Sequence, residues 1–375
     1  LENNLQLNAE RKNQKSVKQN INISRSEFLP SVSISGDQNS SNSTNKTDHG
    51  GSNLSDSNLD TETKTISVDQ KIFQGFKGLN LLKKSELEVK KANLKLNKIE
   101  QQTILDAVSA YYDYVFKLKN QDFNSSNVNL FERQVESDSA RLQKGEITLT
   151  DLAQSESSLA GANANLIKAK TELITSKTNF ERIIRKKAPE VINTNERISV
   201  NLPNSLNFAV NTAKLNNPDL LIAQLDYKIS EKELSIERAK LSPSASINYS
   251  KSENKDYSST IDELDQETIK ATITWPIIKG GENISSIKKS SLKKDRSRLL
   301  SEDAKDKVVT DTTNAWSKYQ SSESVLAATK AQLKAAEIAN EGITLEYDSG
   351  NTRTTLEVIQ SRSLLLSSRI DFAKA

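Results

Sequence analysis

The chain has 375 residues, of which 35% are hydrophobic, 5% aromatic and 27% charged, with a mean hydropathy of −0.62. That composition argues against an ordinary compact globule and leaves long amphipathic helices with thin apolar seams, or disorder, to be separated by periodicity. Its 52 basic and 49 acidic residues are mixed along the chain to a net charge of +3, so no basic block points to nucleic acid. Cysteine is absent, which removes disulfides, thiolate chemistry and zinc-finger sites. Methionine is absent even at residue 1, giving the expectation that the encoded start, and any signal peptide with it, lies outside this sequence. No run reaches the ~18 consecutive apolar residues of a spanning helix, and even the apolar region from Ile104 to Phe116 carries Asp106 and Asp113. Any membrane crossing must therefore be made by strands.

In chain order, residues 1–29 read as a helix and 30–74 as a β-hairpin. Within the second strand Ile66, Val68 and Ile72 point one way, and Thr65, Ser67, Asp69 and Lys71 the other. This is the alternation of a sheet with one wet face. The segment "GDQNSSNSTNKTDHGGSNLSDSNLD" (36–60) is almost free of apolar residues and predicts an exposed loop. His49, the single histidine, falls there, and is expected to be solvated rather than catalytic or metal-bound. Gly75 marks the exit into a long helix over 76–143, where Ile104, Val108, Tyr111, Val115 and Leu118 step by four and three like a coiled-coil seam. Gly145 ends that helix in a tight turn, and Thr148 or Thr150 caps the next, over 148–187. There Leu152, Leu159, Leu166, Leu173 and Phe180 recur every seven residues, with Ser155, Ala162, Ala169, Ser176 and Ile183 offset by three. A large-then-small seam of this period allows close helix approach with left-handed supercoiling.

Residues 188–205, bracketed by Pro189 and Pro203, read as a connector, and the plan then repeats: helix 206–241, hairpin 242–279, long helix 282–348, helix 352–375. Pro243 follows Pro30 by 213 residues, and Gly280, Tyr319 and Gly350 follow Gly75, Tyr114 and Gly145 by 205. The copies therefore span 1–187 and 206–375, and the last helix is expected to be truncated, since Ala375 falls opposite Lys170. In the second hairpin Ile269, Ala271, Ile273 and Trp275 alternate with Lys270, Thr272 and Thr274. A soluble antiparallel sheet on a core and a transmembrane barrel share this period, and periodicity alone leaves both open.

An enzyme is not expected, and neither is a cofactor. The chain has one histidine, no phosphate-binding glycine loop and no carboxylate pair that sequence places in a pocket. A structural coiled-coil surface filament or adhesin would explain the heptads. It would not explain four alternating strands that enter helices at matched junctions. A soluble periplasmic adaptor with two full strand–helix units of this length would be unusual.

The doubled strand entry "LPS"/"SPS", the exits Ile72-Phe73-Gln74-Gly75 and Pro276-Ile277-Ile278-Lys279-Gly280-Gly281, and "AYYDYVFKLKNQ" over 110–121 belong together. With the helix start Asn216-Asn217-Pro218-Asp219-Leu220 and the tip Tyr347-Asp348-Ser349-Gly350, they make the chain resemble the TolC family of outer-membrane efflux proteins. The resemblance implies a mainly α, internally duplicated fold with long antiparallel coiled coils. Four strands per protomer would join a barrel shared by a homotrimer, with residues 188–205 as an equatorial connector. It implies an exit duct in the outer membrane of a Gram-negative bacterium with a long periplasmic extension, serving tripartite efflux or type I secretion. Its partners would be a periplasmic adaptor, an inner-membrane pump and outer-membrane lipid. By the same resemblance Ile66, Val68, Ile273 and Trp275 face lipid, Gly75, Gly280 and Gly281 form strand–helix junctions, and Gly145 and Gly350 form hairpin-tip turns. A periplasmic gate would comprise Asp151, Tyr347, Arg353 and Glu357. The last two fall one place late relative to Gly350, which predicts a one-residue insertion.

Overall fold

The computed structural model describes residues 4–45, 55–189, 202–258, 260–350 and 353–375. His49 and most of the connector lie outside them. The elements in order are α1 (Leu5–Ser26), β1 (Ser31–Asn45), β2 (Ser55–Gln74), α2 (Lys77–Gln143), α3 (Leu149–Ile184), α4 (Leu206–Asn216), α5 (Pro218–Ala239), β3 (Ser244–Ser258), β4 (Ile261–Thr274), α6 (Glu282–Asp348) and α7 (Thr355–Lys374). They form two compact units, one of Arg11–Leu96 with Pro218–Lys305, the other of Leu1–Glu10, Asn97–Asn217 and Asp306–Ala375. Each unit draws on both sequence copies, so the units cut across the duplication.

The first unit holds an antiparallel sheet in the order β1-β2-β3-β4, in which the two hairpins join through β2 and β3. Register assigns the faces. Val32 pairs Val68, Val68 pairs Tyr249, Tyr249 pairs Ile269, and Ala245 pairs Ile273, giving one apolar face. Ser33 pairs Ser67, Ser67 pairs Ser250 and Ser250 pairs Thr268 on the other. There short polar side chains bond each other, Ser33 to Ser67 at 2.9 Å and Asn248 Nδ2 to Asp69 Oδ1 at 2.8 Å. The strict alternation expected through Ile72 breaks, because Lys71 pairs Ser246 while Phe73 pairs Ala245. Ile72 is thus the extra residue of a β-bulge, and the bulge turns Phe73 onto the apolar face. Below the sheet α2 and α5 are tied by Lys84–Glu233 at 2.8 Å and by Lys91–Asp226. Gly75 (φ +58°) lies so close to the segment entering β3 that a Cβ would stand 2.4 Å from Ser242 Cβ and 2.6 Å from the Ala239 carbonyl oxygen. No side chain fits there.

In the second unit the small seam residues of α3, namely Ser155, Ala162, Ala169 and Ser176, are buried together with Phe180. They admit large partners. Val128 and Phe131 of α2 pack with Ala162, flanked by Leu159 and Leu166, and Tyr114 packs with Phe180 and Ala188. On α2 the expected seam is shifted by about one residue: Thr103, Ala110 and Tyr114 are buried, while Ile104 is 49% exposed. The single helix expected over 206–241 is two. Asn217 is extended (φ −64°, ψ 121°) because Pro218 disfavours helical backbone at the residue before it, and Pro218 then opens α5.

Because Ala162 is 4% exposed against Phe131, Ala162→Leu should overpack the seam and destabilise the unit by ~1–3 kcal/mol. Ile167→Leu, at a 66% exposed position, should be close to neutral. Thermal unfolding followed by circular dichroism distinguishes the two; equal melting temperatures would contradict the assigned seam.

Candidate functional site

The two helical hairpins of the second unit end in tips built by the same rules. After α2 the Gly145 N–H (φ +74°) bonds the Leu142 carbonyl at 2.9 Å and the Glu146 N–H bonds that of Arg141 at 2.9 Å, a Schellman closure. Gly350 (φ +76°) bonds Tyr347 in the same role after α6. Thr148 caps α3 and Thr354 caps α7, each in a capping box with Asp151 or Glu357 as the reciprocal acid. The tip glycines lie 205 residues apart and the caps 206, so the extra residue falls between Gly350 and Thr354.

Tyr347 is 2% exposed on α6 and reaches α2, where its hydroxyl donates to Asp138 Oδ1 at 2.7 Å. Having spent its proton, it accepts from the Thr355 hydroxyl at 3.1 Å. Asp138 is 0% exposed. Its carboxylate also accepts from Gln134 Nε2 at 2.8 Å and Ser155 Oγ at 2.5 Å, the satisfaction a buried charge requires. The Arg141 guanidinium lies 4.4 Å from the Tyr347 ring centroid, a cation–π contact. Burial raises the Tyr347 phenol above its ordinary pKa, and the Asp138 charge acts in the same direction. Nearby, burial lowers the Arg362 pKa, and its Nη1 donates to the Leu130 carbonyl at 3.3 Å.

The four expected gate residues do not meet as a group. Tyr347 crosses to the first hairpin but finds Asp138 rather than Asp151. Asp151 Oδ2 is taken by the Thr148 N–H at 2.9 Å and the Thr148 hydroxyl at 2.8 Å, because an acid in the third helical position folds back onto its own cap. Arg353 stays within its hairpin, donating to Glu346 at 2.6 Å and Glu357 at 2.9 Å. Sequence reading missed Asp138, although it lies seven residues after the buried Phe131 and fourteen after the buried Asn124. A seam traced by period instead of apolarity would have included it.

On the sheet Ile66, Val68 and Ile273 share the apolar face, whose Ile273 is 79% exposed. Trp275 lies just past the end of β4, and its indole N–H donates to the Leu241 carbonyl at 3.1 Å. The junction glycines Gly280 and Gly281 take φ +51° and +82°. Among the described residues no group of three His, Cys, Asp or Glu side chains is placed to hold a metal ion, and no helix is long and apolar enough to cross a membrane.

A duplicated strand-to-coiled-coil chain whose sheet exposes one aliphatic face, and whose hairpins lock at their tips, has the architecture of outer-membrane channel proteins. The family model for outer membrane efflux proteins matches residues 1–184 and 209–375, and the chain belongs to that family. It is similar to the outer membrane efflux protein BepC of Brucella suis biovar 1 (27% identity, over 100% of this chain and 79% of BepC). It is also similar to the outer membrane protein TolC of Escherichia coli K12 (22% identity, over 95% of this chain and 73% of TolC). Among solved structures the Campylobacter jejuni CmeC outer membrane channel superposes with a TM-score of 0.80 at 15% identity, over 99% of this chain and 79% of CmeC. The fold is therefore that of channels, not enzymes, and the protein belongs to the outer membrane of Gram-negative bacteria.

Hydrogen bonds from the Thr148 backbone and side chain hold Asp151 below its ordinary pKa, and those from the Thr354 backbone and Arg353 do the same for Glu357. Folded values below unfolded ones mean that the tips gain stability from these acids above the unfolded pKa of about 4. That gain is lost as pH falls through the folded values. Amide exchange at the tips, corrected for intrinsic rates, should thus accelerate between about pH 5 and pH 3. Thr148→Ala should cost ~1 kcal/mol at neutral pH and flatten the acid response of the first tip. A pH-independent first tip in the unmodified chain would refute the cap assignment.

Proposed function

We propose that the chain is one protomer of a homotrimeric exit duct. The duct passively conducts substrates out across the outer membrane after an inner-membrane pump and a periplasmic adaptor deliver them, in tripartite efflux or type I secretion. The observation that carries this reading is the sheet. Near the helix junctions one face carries an uncovered aliphatic band of Val32, Ile34, Ile66, Val68, Ile269 and Ile273, the opposite face is polar, and among the described residues β1 and β4 each pair on one side only. In lipid every strand must be paired, which closure with further copies achieves. Ile66, Val68, Ile273 and Trp275 then face lipid, while Ser67, Asp69, Thr272 and Thr274 face the lumen. Gly145 and Gly350 shape the tips that the adaptor would engage.

The same reading makes the tip contact a latch. Tyr347 is its cross-hairpin member, Asp138 its acceptor, and Arg353 with Glu357 and Asp151 stiffen the turns on either side. A hydrogen bond of this kind contributes about 1 kcal/mol, or roughly fivefold in an open–closed equilibrium per protomer. A docking partner can overcome that.

Two measurements test these assignments. Arginine at Ile273 should cost ~2–4 kcal/mol near mid-bilayer and arginine at Thr272 much less, so outer-membrane assembly should fail for the first and survive for the second. Equal tolerance would sink the barrel. In planar bilayers Tyr347→Phe and Asp138→Asn should each raise conductance several-fold with trimers intact. Unchanged conductance would leave the tip contact a structural bond only.

A further inference from the structure

The duplication sets each helix that leaves the sheet beside one that enters it. Within the protomer α2, which leaves β2, is covered by α5, which enters β3, and the contact is charged. Lys84 meets Glu233 at 2.8 Å, and Lys91 meets Asp226. At the 205-residue offset Lys84 and Lys91 become Lys289 and Arg296 of α6, and Glu88 becomes Lys293. At the 213-residue offset Glu233 and Asp226 become Asn20 and Asn13 of α1. The two cations are thus kept and a third is added, while both acids are lost.

Nothing in the described chain covers this face of α6. Ser285, Lys288, Lys289, Leu292, Lys293 and Arg296 line an open depression of about 480 Å³. Leu292 is 62% exposed, whereas its counterpart Leu87 is half-buried. Lys289, Lys293 and Arg296 follow at i, i+4 and i+7, so their like charges share one stripe and repel. The ion pairs of this stretch, Lys294 with Asp295 at 3.7 Å and Arg298 with Glu302 at 2.9 Å, are made on other faces. Lys293 and Arg296 also border a cleft with Asp219, Asp226 and Glu233 of α5. There Asp226 and Glu233 are held by Lys91 and Lys84, and Asp219 has a partner of its own. Lys289, Lys293 and Arg296 form no ion pair among the described residues. On α1, residues 11–26 include no acid. Glu10, at the position of Ala223, is the nearest, and it already has a partner within its own chain.

When β4 of one copy pairs with β1 of the next, α6 meets the partner's α1 as α2 meets α5. Three like charges are then enclosed opposite two amides. Enclosing an unpaired cation is costly, and an anion of more than one charge removes both that cost and the repulsion. Phosphate suits the donors, because a guanidinium and two ammonium groups give charge-assisted hydrogen bonds and asparagine amides add neutral ones.

We propose that the seam between α6 and the α1 helix of a neighbouring copy is a phosphate-binding site. Lys289, Lys293 and Arg296 hold the anion, and the partner's Asn13 and the partner's Asn20 close over it. Inorganic phosphate and a phospholipid headgroup share this chemistry, and the measurement tells them apart. The inference rests on the homotrimer proposed above, and its test reports on the two separately.

The chain has no cysteine, so Lys289→Cys combined with Asn20→Cys can be joined by a short bismaleimide. Covalent dimers and trimers are expected. Trimers that do not cross-link would overturn the seam, and a chain that forms no trimer would overturn the homotrimer and the site with it. Ligand binding is then measured on the trimer without these cysteines. Radiolabelled inorganic phosphate is followed by equilibrium dialysis at fixed ionic strength, and retention of phosphatidylglycerol against phosphatidylcholine by native mass spectrometry. Phosphate bound without retained lipid identifies a small anion, and preferential retention of phosphatidylglycerol identifies a headgroup. Asn13→Asp combined with Asn20→Glu restores the acids of the first seam. It should weaken whichever ligand binds by about tenfold or more, the worth of a charge-assisted hydrogen bond, and Arg296→Gln should do the same. The acid variant should also raise the temperature at which trimers dissociate without phosphate. Neither ligand binding to intact trimers, or equal binding to the acid variant, would overturn the site.

Discussion

Ile34, Ile66, Ile269 and Ile273 form a surface for which the described chain supplies no covering layer, and Ile34, Ile269 and Ile273 are each more than three-quarters exposed. Removing an aliphatic side chain of this size from water is worth about 1.5–3 kcal/mol, so such a band cannot be left in solvent without a compensating partner. On the proposed reading that partner is lipid, and lipid imposes a second condition. It offers no hydrogen bonds, so the free edges of β1 and β4 cannot remain open. Apolar outside, polar inside and closed are thus one requirement. On the opposite face short polar side chains bond one another across strands, Ser33 to Ser67 and Thr63 to Asn254.

The helical unit obeys a different economy. Its seams use serine and alanine where helices approach most closely, which lets Phe131, Val128 and Tyr114 fill the space between backbones. Dispersion and apolar burial stabilise those layers. Toward the tips the seam of α2 turns polar, with Asn124, Asn127, Gln134 and Asp138 all buried. Buried polar layers fix register at a cost in stability. The Gln134 and Asp138 layer next to the tip is therefore where the coiled coil is easiest to rearrange.

The duplication, the apolar ends of the strands, the long helices and the tip turns were legible in the sequence because each follows from a short-range rule, whereas the polar segment 36–60, expected as a loop, is paired strand over 36–45 and 55–60. What escaped needed three dimensions. The bulge at Ile72 depends on which residue of β3 lies opposite. The break at Asn217 is the exception, a local effect of Pro218 on the residue before it. On α2 the buried line runs through Thr103, Ala110 and Tyr114, beside the half-exposed Ile104, and apolarity alone does not mark it. Asp138 was passed over because a lone acid in a heptad looks like solvent exposure until Tyr347, Gln134 and Ser155 are seen to converge on it.

The tip contact also shows how a duplicated chain escapes its own symmetry. Were the copies equivalent, each contact between two residues would be matched by a second between their counterparts. Instead Tyr347 corresponds to Leu142 and Asp138 to Ile343 at the 205-residue offset, so donor and acceptor occur once each and in different copies. The extra residue after Gly350 advances every later position of α7 by one. Ser361 and Ser368 then stand for Ser155 and Ala162, and the buried Thr355 takes the place of the exposed Leu149. Threonine in place of leucine at that position supplies Tyr347 with its second hydroxyl. The second hairpin thus presents the phenol and the first receives it, a direction set by different residues at matched positions.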